Sequence, residues 1–176
     1  MSTDKKRFSA KNITAIAFFA ALISVLSQIH IPLPTGLPLT LQTFAVCLCG
    51  YVLGAKKSVI CLLVYILLGM CGVPVFAGFG GGIYRLFGIS GGFILSFPLV
   101  SALCGTGKEK RAFYAVLAGV AGVLLCQVTG ALWYAYIGGM DFKNALALVL
   151  ATYALKDTAL CVAAYALSRS LKRLGI

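Results

Sequence analysis

Apolar runs follow one another along the chain, with most charged residues gathered into short clusters between them. A membrane-spanning helix needs about 20 predominantly apolar residues at about 1.5 Å rise each. On that measure the pattern predicts helices over 12–30, 39–54, 58–72, 92–104, 112–137 and 144–168, several of them shorter than a full span. Residues 39–72 read either as two short helices separated by Gly54, Ala55, Lys56 and Lys57 or as a longer kinked pair. The expected fold is an all-α integral membrane protein, a six-helix transmembrane bundle.

Composition supports the membrane assignment: 61% of the 176 residues are hydrophobic and 11% are charged, with a mean hydropathy of +1.00. A soluble domain carries about 25% charged residues. No linker or low-complexity tract divides the chain, so residues 1–176 are expected to form a single transmembrane domain. The net charge of +11 invites a nucleic-acid reading. However, the basic residues form separate clusters and not one stripe with interleaved aromatics, so no nucleic-acid partner is expected.

Lys and Arg concentrate in cytoplasmic loops, which gives the clusters a topological meaning. Lys5, Lys6, Arg7 and Lys11 precede the first helix, Lys56 and Lys57 follow the second, Lys108, Lys110 and Arg111 follow the fourth, and Arg169, Lys172 and Arg173 close the chain. With six spans these all fall on one side, leaving Arg85 and Lys143 opposite and Lys156 within a helix. Both termini are therefore expected in the cytoplasm of a multi-pass cell-membrane protein. The apolar run from Ile13 to Ile29 is too long for a typical signal-peptide core and reads as a retained first helix.

Against this background, Lys156 and Asp157 stand out, side by side near the middle of the last apolar stretch. A charge at bilayer depth costs about 2.5–3.5 kcal/mol on insertion scales and persists where it faces a cavity, a partner or a ligand. Consecutive residues lie about 100° apart around a helix and do not face each other as i, i+4 partners do. Asp157 is therefore expected to point inward, with Lys156 reaching around or pairing elsewhere. The plainer alternative is that Asp157 only forms an ion pair with Arg85 or Lys156.

The glycine-rich stretch from Cys71 to Gly92 is the second candidate. Non-helical backbone at membrane depth is tolerated where protein buries it or where it lines a cavity. Its glycines could equally serve turns and close helix contacts, since Gly78 to Gly82 and Gly88 to Gly92 fit the GxxxG spacing. Arg85, the one basic residue in this long loop on the side otherwise poor in positive charge and flanked by Phe76, Tyr84 and Phe87, favours a ligand role. A third cluster lies before the second helix, where Pro32, Pro34 and Pro38 stiffen an extended loop. Thr40, Gln42 and Thr43 follow it and suit either helix capping or ligand contact.

Other chemistry is poorly supplied. Seven cysteines, Cys47, Cys49, Cys61, Cys71, Cys104, Cys126 and Cys161, show no CxxC spacing or nearby histidine and read as small packing residues. His30 is expected to be non-functional. Residues 102–109, ALCGTGKE, approach a phosphate-binding loop, but Ala102 replaces its first glycine, Glu109 replaces its hydroxyl residue, and no strand precedes it. With four acidic residues and one histidine, neither an enzyme nor a bound cofactor or metal is expected. Work for uphill transport would have to come from another subunit or an ion gradient.

The segments PLTLQTF at Pro38–Phe44, GVPVFAGFGGGIYRLFG at Gly72–Gly88 and SGGFILSF at Ser90–Phe97, with a carboxylate in the last helix, resemble the BioY family. Those proteins are the biotin-binding S components of energy-coupling factor (ECF) transporters. The chain departs from the family in having Ile89 and Ser90 where Pro-Thr is common. Position 160 is leucine where a lysine often follows the aspartate, and Lys156 instead precedes it. The resemblance implies a six-helix bundle that captures biotin and couples to a transmembrane scaffold subunit and two cytoplasmic ATPases. Ala17 and Ala21 resemble the surface that packs against the scaffold. On this reading Arg85 or Lys156 meets the biotin carboxylate or ureido oxygen, Asp157 accepts from the ureido N–H groups, and Phe76, Tyr84 and Trp133 cover the bicycle. The competing readings are an S component for a different small vitamin and a ligand-free membrane scaffold protein.

Overall fold

The computed structural model describes residues 10–108 and 110–173. Lys5, Lys6 and Arg7 of the first basic cluster, and Glu109, lie outside them. The described residues form helices α1 (Ala10–Gln28), α2 (Gln42–Leu53), α3 (Ala55–Met70), α4 (Tyr84–Phe87), α5 (Gly91–Thr106), α6 (Ala112–Gly138) and α7 (Phe142–Arg173). A short antiparallel ribbon between α1 and α2 pairs β1 (His30–Ile31) with β2 (Leu39–Thr40), His30 opposite Thr40.

Where the sequence left two readings of residues 39–72, the structure has two helices divided by one residue. Gly54 adopts φ +81° and ψ +164°, a backbone region essentially confined to glycine. The chain reverses there without a linker, and Lys56 and Lys57 form the first turn of α3. The turn is held by the Gly54 N–H, which donates to Gly50 O at 2.9 Å.

α2 lies at the centre, packed against α5, α7, α1 and α3. Every residue from Ala45 to Tyr51 is buried, as expected of a helix apolar on all sides. Its 12 residues reach about 18 Å. α5 packs on α6, α3 and α2, and α7 closes the bundle against α6 and α2. α1, α6 and α7 are each long and apolar enough to cross a membrane. Their outward faces carry large apolar side chains such as Phe18, Leu132 and Leu155, the last 87% exposed. A protein with three such helices and an apolar exterior is a multi-pass membrane protein.

One fully buried polar node ties three helices to the loop after α3. The Tyr65 hydroxyl of α3 accepts from Gln42 Nε2 of α2 at 2.8 Å and donates to the Val75 carbonyl at 3.0 Å. Ser27 of α1 donates to the same carbonyl at 2.6 Å. Hydrogen bonds in membrane proteins average about 0.6 kcal/mol, with a maximum near 1.7. Tyr65→Phe removes both bonds and leaves the Gln42 amide buried without its partner, so a loss of about 1–2 kcal/mol is expected. Thermal unfolding in detergent, without ligand, should show a lower Tm for this variant than for wild type.

Candidate functional site

Two loops come together over the ends of α2, α5, α6 and α7. The first spans residues 29–41 and is fastened to α6 and α7. Leu37 is buried among Ala131, Ala145 and Val149. The hydroxyls of Tyr134 and Tyr153 donate to the carbonyls of Thr35 and Leu37 at 3.1 and 2.8 Å, and Lys156 Nζ donates to Thr40 O at 2.9 Å. Thr35 lies in the turn before Gly36 and Thr40 in β2, and side chains of α6 and α7 satisfy these carbonyls.

The second loop, residues 71–90, is fastened to α1 and α6. Gln28 clasps its hairpin from both directions: Nε2 donates to Phe76 O at 3.2 Å, and Oε1 accepts from the Phe79 N–H at 2.8 Å. Phe76 and Gly80 exchange backbone hydrogen bonds across the hairpin. α4, an element the apolar pattern did not predict, follows and carries Tyr84 and Arg85. A Cβ at Gly80 would fall 2.7 Å from Arg85 Nε, so glycine here lets the guanidinium lie against the backbone.

Beneath the loops is a cavity of about 320 Å³, within the usual range of about 300–1,000 Å³ for small-molecule sites. Its apolar wall includes Phe76, Phe93, Phe97, Val100 and Val123. Its polar groups are Arg85, Lys156, Asp157 and Gln127, with Thr40, Gln42 and Thr43 from the loop and the start of α2. Tyr84 also lines it while remaining 65% exposed.

In the charged pair Asp157 is buried and Lys156 reaches around the helix to it. Lys156 and Asp157 both line the cavity, and Nζ lies 2.7 Å from Asp157 Oδ1. A four-carbon stem is long enough to curl across the 100° that separates consecutive residues. Asp157 is 7% exposed, and its Oδ2 accepts from Gln127 Nε2 at 3.5 Å. Among the described residues, three buried atoms of cavity-lining side chains have no hydrogen-bond partner: Arg85 Nε, Gln127 Oε1 and Asp157 Oδ1. For Asp157 Oδ1 the lysine supplies charge at close range without a well-directed bond. Among the described residues, no carboxylate pairs with Arg85.

Arg85, Asp157, Lys156, Tyr84, Phe76, Gln42 and Thr40 thus all border one space, although Gln42 turns its amide to Tyr65 and Thr40 Oγ1 accepts the Gln42 backbone N–H at 3.3 Å. Trp133 does not border it. Its indole N–H donates to Gly88 O at 2.9 Å, and its ring lines a separate apolar groove between α5 and α6. The tryptophan braces the second loop from behind. Phe93, Phe97 and Tyr153 take the aromatic positions inside. Gln127 was readable in the sequence as an amide stranded in the apolar run of α6, and Tyr153 as the residue one helical turn before Asp157. His30 lies outside the cavity and contacts Gln28 O through Nδ1 at 2.9 Å. The arrangement can hold a small, mainly apolar molecule that bears one negative charge and a few N–H donors.

Known proteins resemble this chain in sequence and in fold. The chain is 40% identical over 132 residues to the probable biotin transporter BioY of Pyrococcus horikoshii, covering 75% of this chain and 79% of that one. It is 35% identical over 163 residues to the biotin transporter BioY of Thermotoga maritima, covering 90% and 94%. A crystal structure of the S-component for biotin from an ECF-type ABC transporter superposes with a TM-score of 0.86 over 98% of this chain and 95% of that one, at 24% identity. The BioY family model matches residues 1–175, and the chain belongs to the BioY family.

Proposed function

We propose that this protein captures biotin as the membrane-embedded S component of an ECF-type transporter. In this reading α1, α2, α3, α5, α6 and α7 make six spans with both termini in the cytoplasm, and a scaffold subunit and two cytoplasmic ATPases complete the transporter. It is a transport component and not an enzyme.

The charge balance of the cavity carries the reading. Lys156 and Asp157 neutralise each other at 2.7 Å, which leaves Arg85 as an uncompensated cation with a buried, unpartnered Nε. A monoanionic ligand corrects that balance. Biotin brings one carboxylate on a flexible apolar chain and a bicycle whose ureido group has two N–H donors and a carbonyl acceptor. Arg85 answers the carboxylate. Asp157 Oδ1 and Gln127 Oε1 offer two acceptors to the two ureido N–H groups, and Lys156 stands beside them for the ureido oxygen. Phe76, Phe93, Phe97 and Tyr153 surround the apolar remainder. Ile89 and Ser90, where the sequence departs from the common family pattern, also line this cavity and shape its wall.

The outer face of α1 supports the partner assignment. Ala17 and Ala21, four residues apart, are both exposed, and small residues at that spacing let another helix approach closely. The distribution of Lys and Arg between the two ends of the bundle supports the orientation.

Titration calorimetry on the purified protein tests the ligand assignment. A hydrogen bond to a charged group contributes about 1.5–3 kcal/mol, so Arg85→Ala and Asp157→Asn should each weaken biotin binding about 10- to 100-fold while the protein still folds. Biotin methyl ester, which lacks the negative charge, should bind wild type more weakly than biotin does, and Arg85→Ala should no longer discriminate between the two. Unchanged affinity in both variants, or equal binding of unrelated vitamins, overturns the assignment.

The partner assignment is tested separately. Ala17→Trp combined with Ala21→Trp should leave biotin binding by the isolated protein unaltered and abolish biotin uptake by cells that also produce the scaffold and ATPases. Normal uptake by that variant would show that this face does not meet the scaffold.

A further inference from the structure

We propose that the crossing of α2, α5 and α7 holds a second site, where Cys47, Cys104 and Cys161 bind a soft monovalent cation of the Cu(I) class. The three cysteines come from three helices and are each fully buried. Their Sγ atoms all lie within 4.8 Å of one another. Two other buried thiols donate to backbone, Cys61 to Ile16 O at 3.3 Å and Cys126 to Phe93 O at 3.8 Å, and Cys49 lies against Cys61. Cys47, Cys104 and Cys161 turn their sulfurs toward one another instead.

The spacing suits a trigonal centre. With metal–sulfur bonds of about 2.3 Å, three sulfurs around one ion sit about 4 Å apart, so closure needs rotamer adjustments of less than about an ångström. Among the described residues this cluster contains three sulfurs and no histidine or carboxylate. Structural zinc takes four ligands, whereas a sulfur-only, three-coordinate set suits Cu(I). The thiolate is the ligating form of cysteine, so binding Cu(I) releases the three thiol protons and gives a trithiolate centre of net charge −2, with the Tyr51 hydroxyl against Cys161 Sγ and the Arg169 and Lys172 cations in the adjoining hollow.

Access comes from the end of the bundle away from the substrate cavity. The Tyr51 hydroxyl lies 3.4 Å from Cys161 Sγ, and Tyr51 also lines a hollow of about 240 Å³ beside Ser168, Arg169 and Lys172. The Tyr51 side chain borders that hollow and reaches Cys161. None of the three cysteines borders the substrate cavity, so the proposal does not depend on the biotin reading.

The test is an anaerobic titration of the purified full-length protein with Cu(I) buffered by a competing chelator. The expected result is one Cu(I) per chain with a sulfur-only shell in X-ray absorption, and at least tenfold weaker retention of Zn(II). Cys47→Ser, Cys104→Ser and Cys161→Ser should each weaken Cu(I) retention at least tenfold. Cys71→Ser and the Cys49→Ser, Cys61→Ser double variant should match wild type. Thermal melting of each variant reports folding, and Cys→Ala replacements serve the same comparison where a serine lowers the Tm. The site is ruled out if wild type fails to compete with the chelator, if the triple variant retains Cu(I) like wild type, or if the Cys49, Cys61 double variant is the one that loses it.

Discussion

Taking Lys156 and Asp157 out of water is the constraint around which this structure is arranged. Removing an ion from water costs several kcal/mol even after relaxation, and the attraction between partners offsets that only when further hydrogen bonds satisfy the remaining groups. Asp157 has the ammonium at 2.7 Å and the Gln127 amide at 3.5 Å. Lys156 needs another acceptor and finds it in the Thr40 carbonyl at 2.9 Å. That bond requires the first loop to descend onto α7. The same requirement places an amide in the otherwise apolar α6, opposite the carboxylate.

The roof of the cavity is consequently two separately fastened pieces. Prolines stiffen the first, which lowers the entropy lost on ordering it, and the hydroxyls of Tyr134 and Tyr153 take up its carbonyls. Glycines let the second fold tightly enough for Gln28 to bond both sides of one hairpin and for Arg85 to lie on the backbone of Gly80. Opposite backbone strategies therefore meet over one space: one loop is restricted in advance, while the other is permissive and held from outside.

Much of this was legible in the sequence, because bilayer thickness and the cost of stranded charge act on composition directly. The six long apolar segments all appear as helices, with ends displaced by a few residues, most at the C-terminal end of α7, which reaches Arg173 instead of residue 168, and Gly54 alone makes the reversal between α2 and α3. Hydropathy could not show that α2 is wrapped by protein while α1 faces outward, since both environments select apolar residues. That Arg85 and Asp157 border the cavity was legible because a charge in a greasy segment has few explanations. Trp133 was misplaced because an aromatic near a loop can brace it from either side, and the indole N–H found Gly88 O. The three-sulfur cluster was invisible because its members are more than 40 residues apart in sequence, and only the packing of α2, α5 and α7 brings them together.

Position in the fold also bears on how capture could be linked to assembly. Ser27 and Gln28 at the end of α1 hold the loop that carries Arg85, through Val75 O, Phe76 O and the Phe79 N–H. Ala17 and Ala21, the exposed small residues, lie on the same helix two to three turns earlier. A ligand bonded to both Arg85 and Asp157 would join this loop to α7, and thereby join α1 to the far side of the bundle. A shift of α1 against a partner would be carried through Gln28 to the hairpin that precedes Arg85. In that arrangement the clasp made by Gln28 transmits between the outer face of α1 and the cavity, and ligand occupancy would determine how stiffly the two are connected.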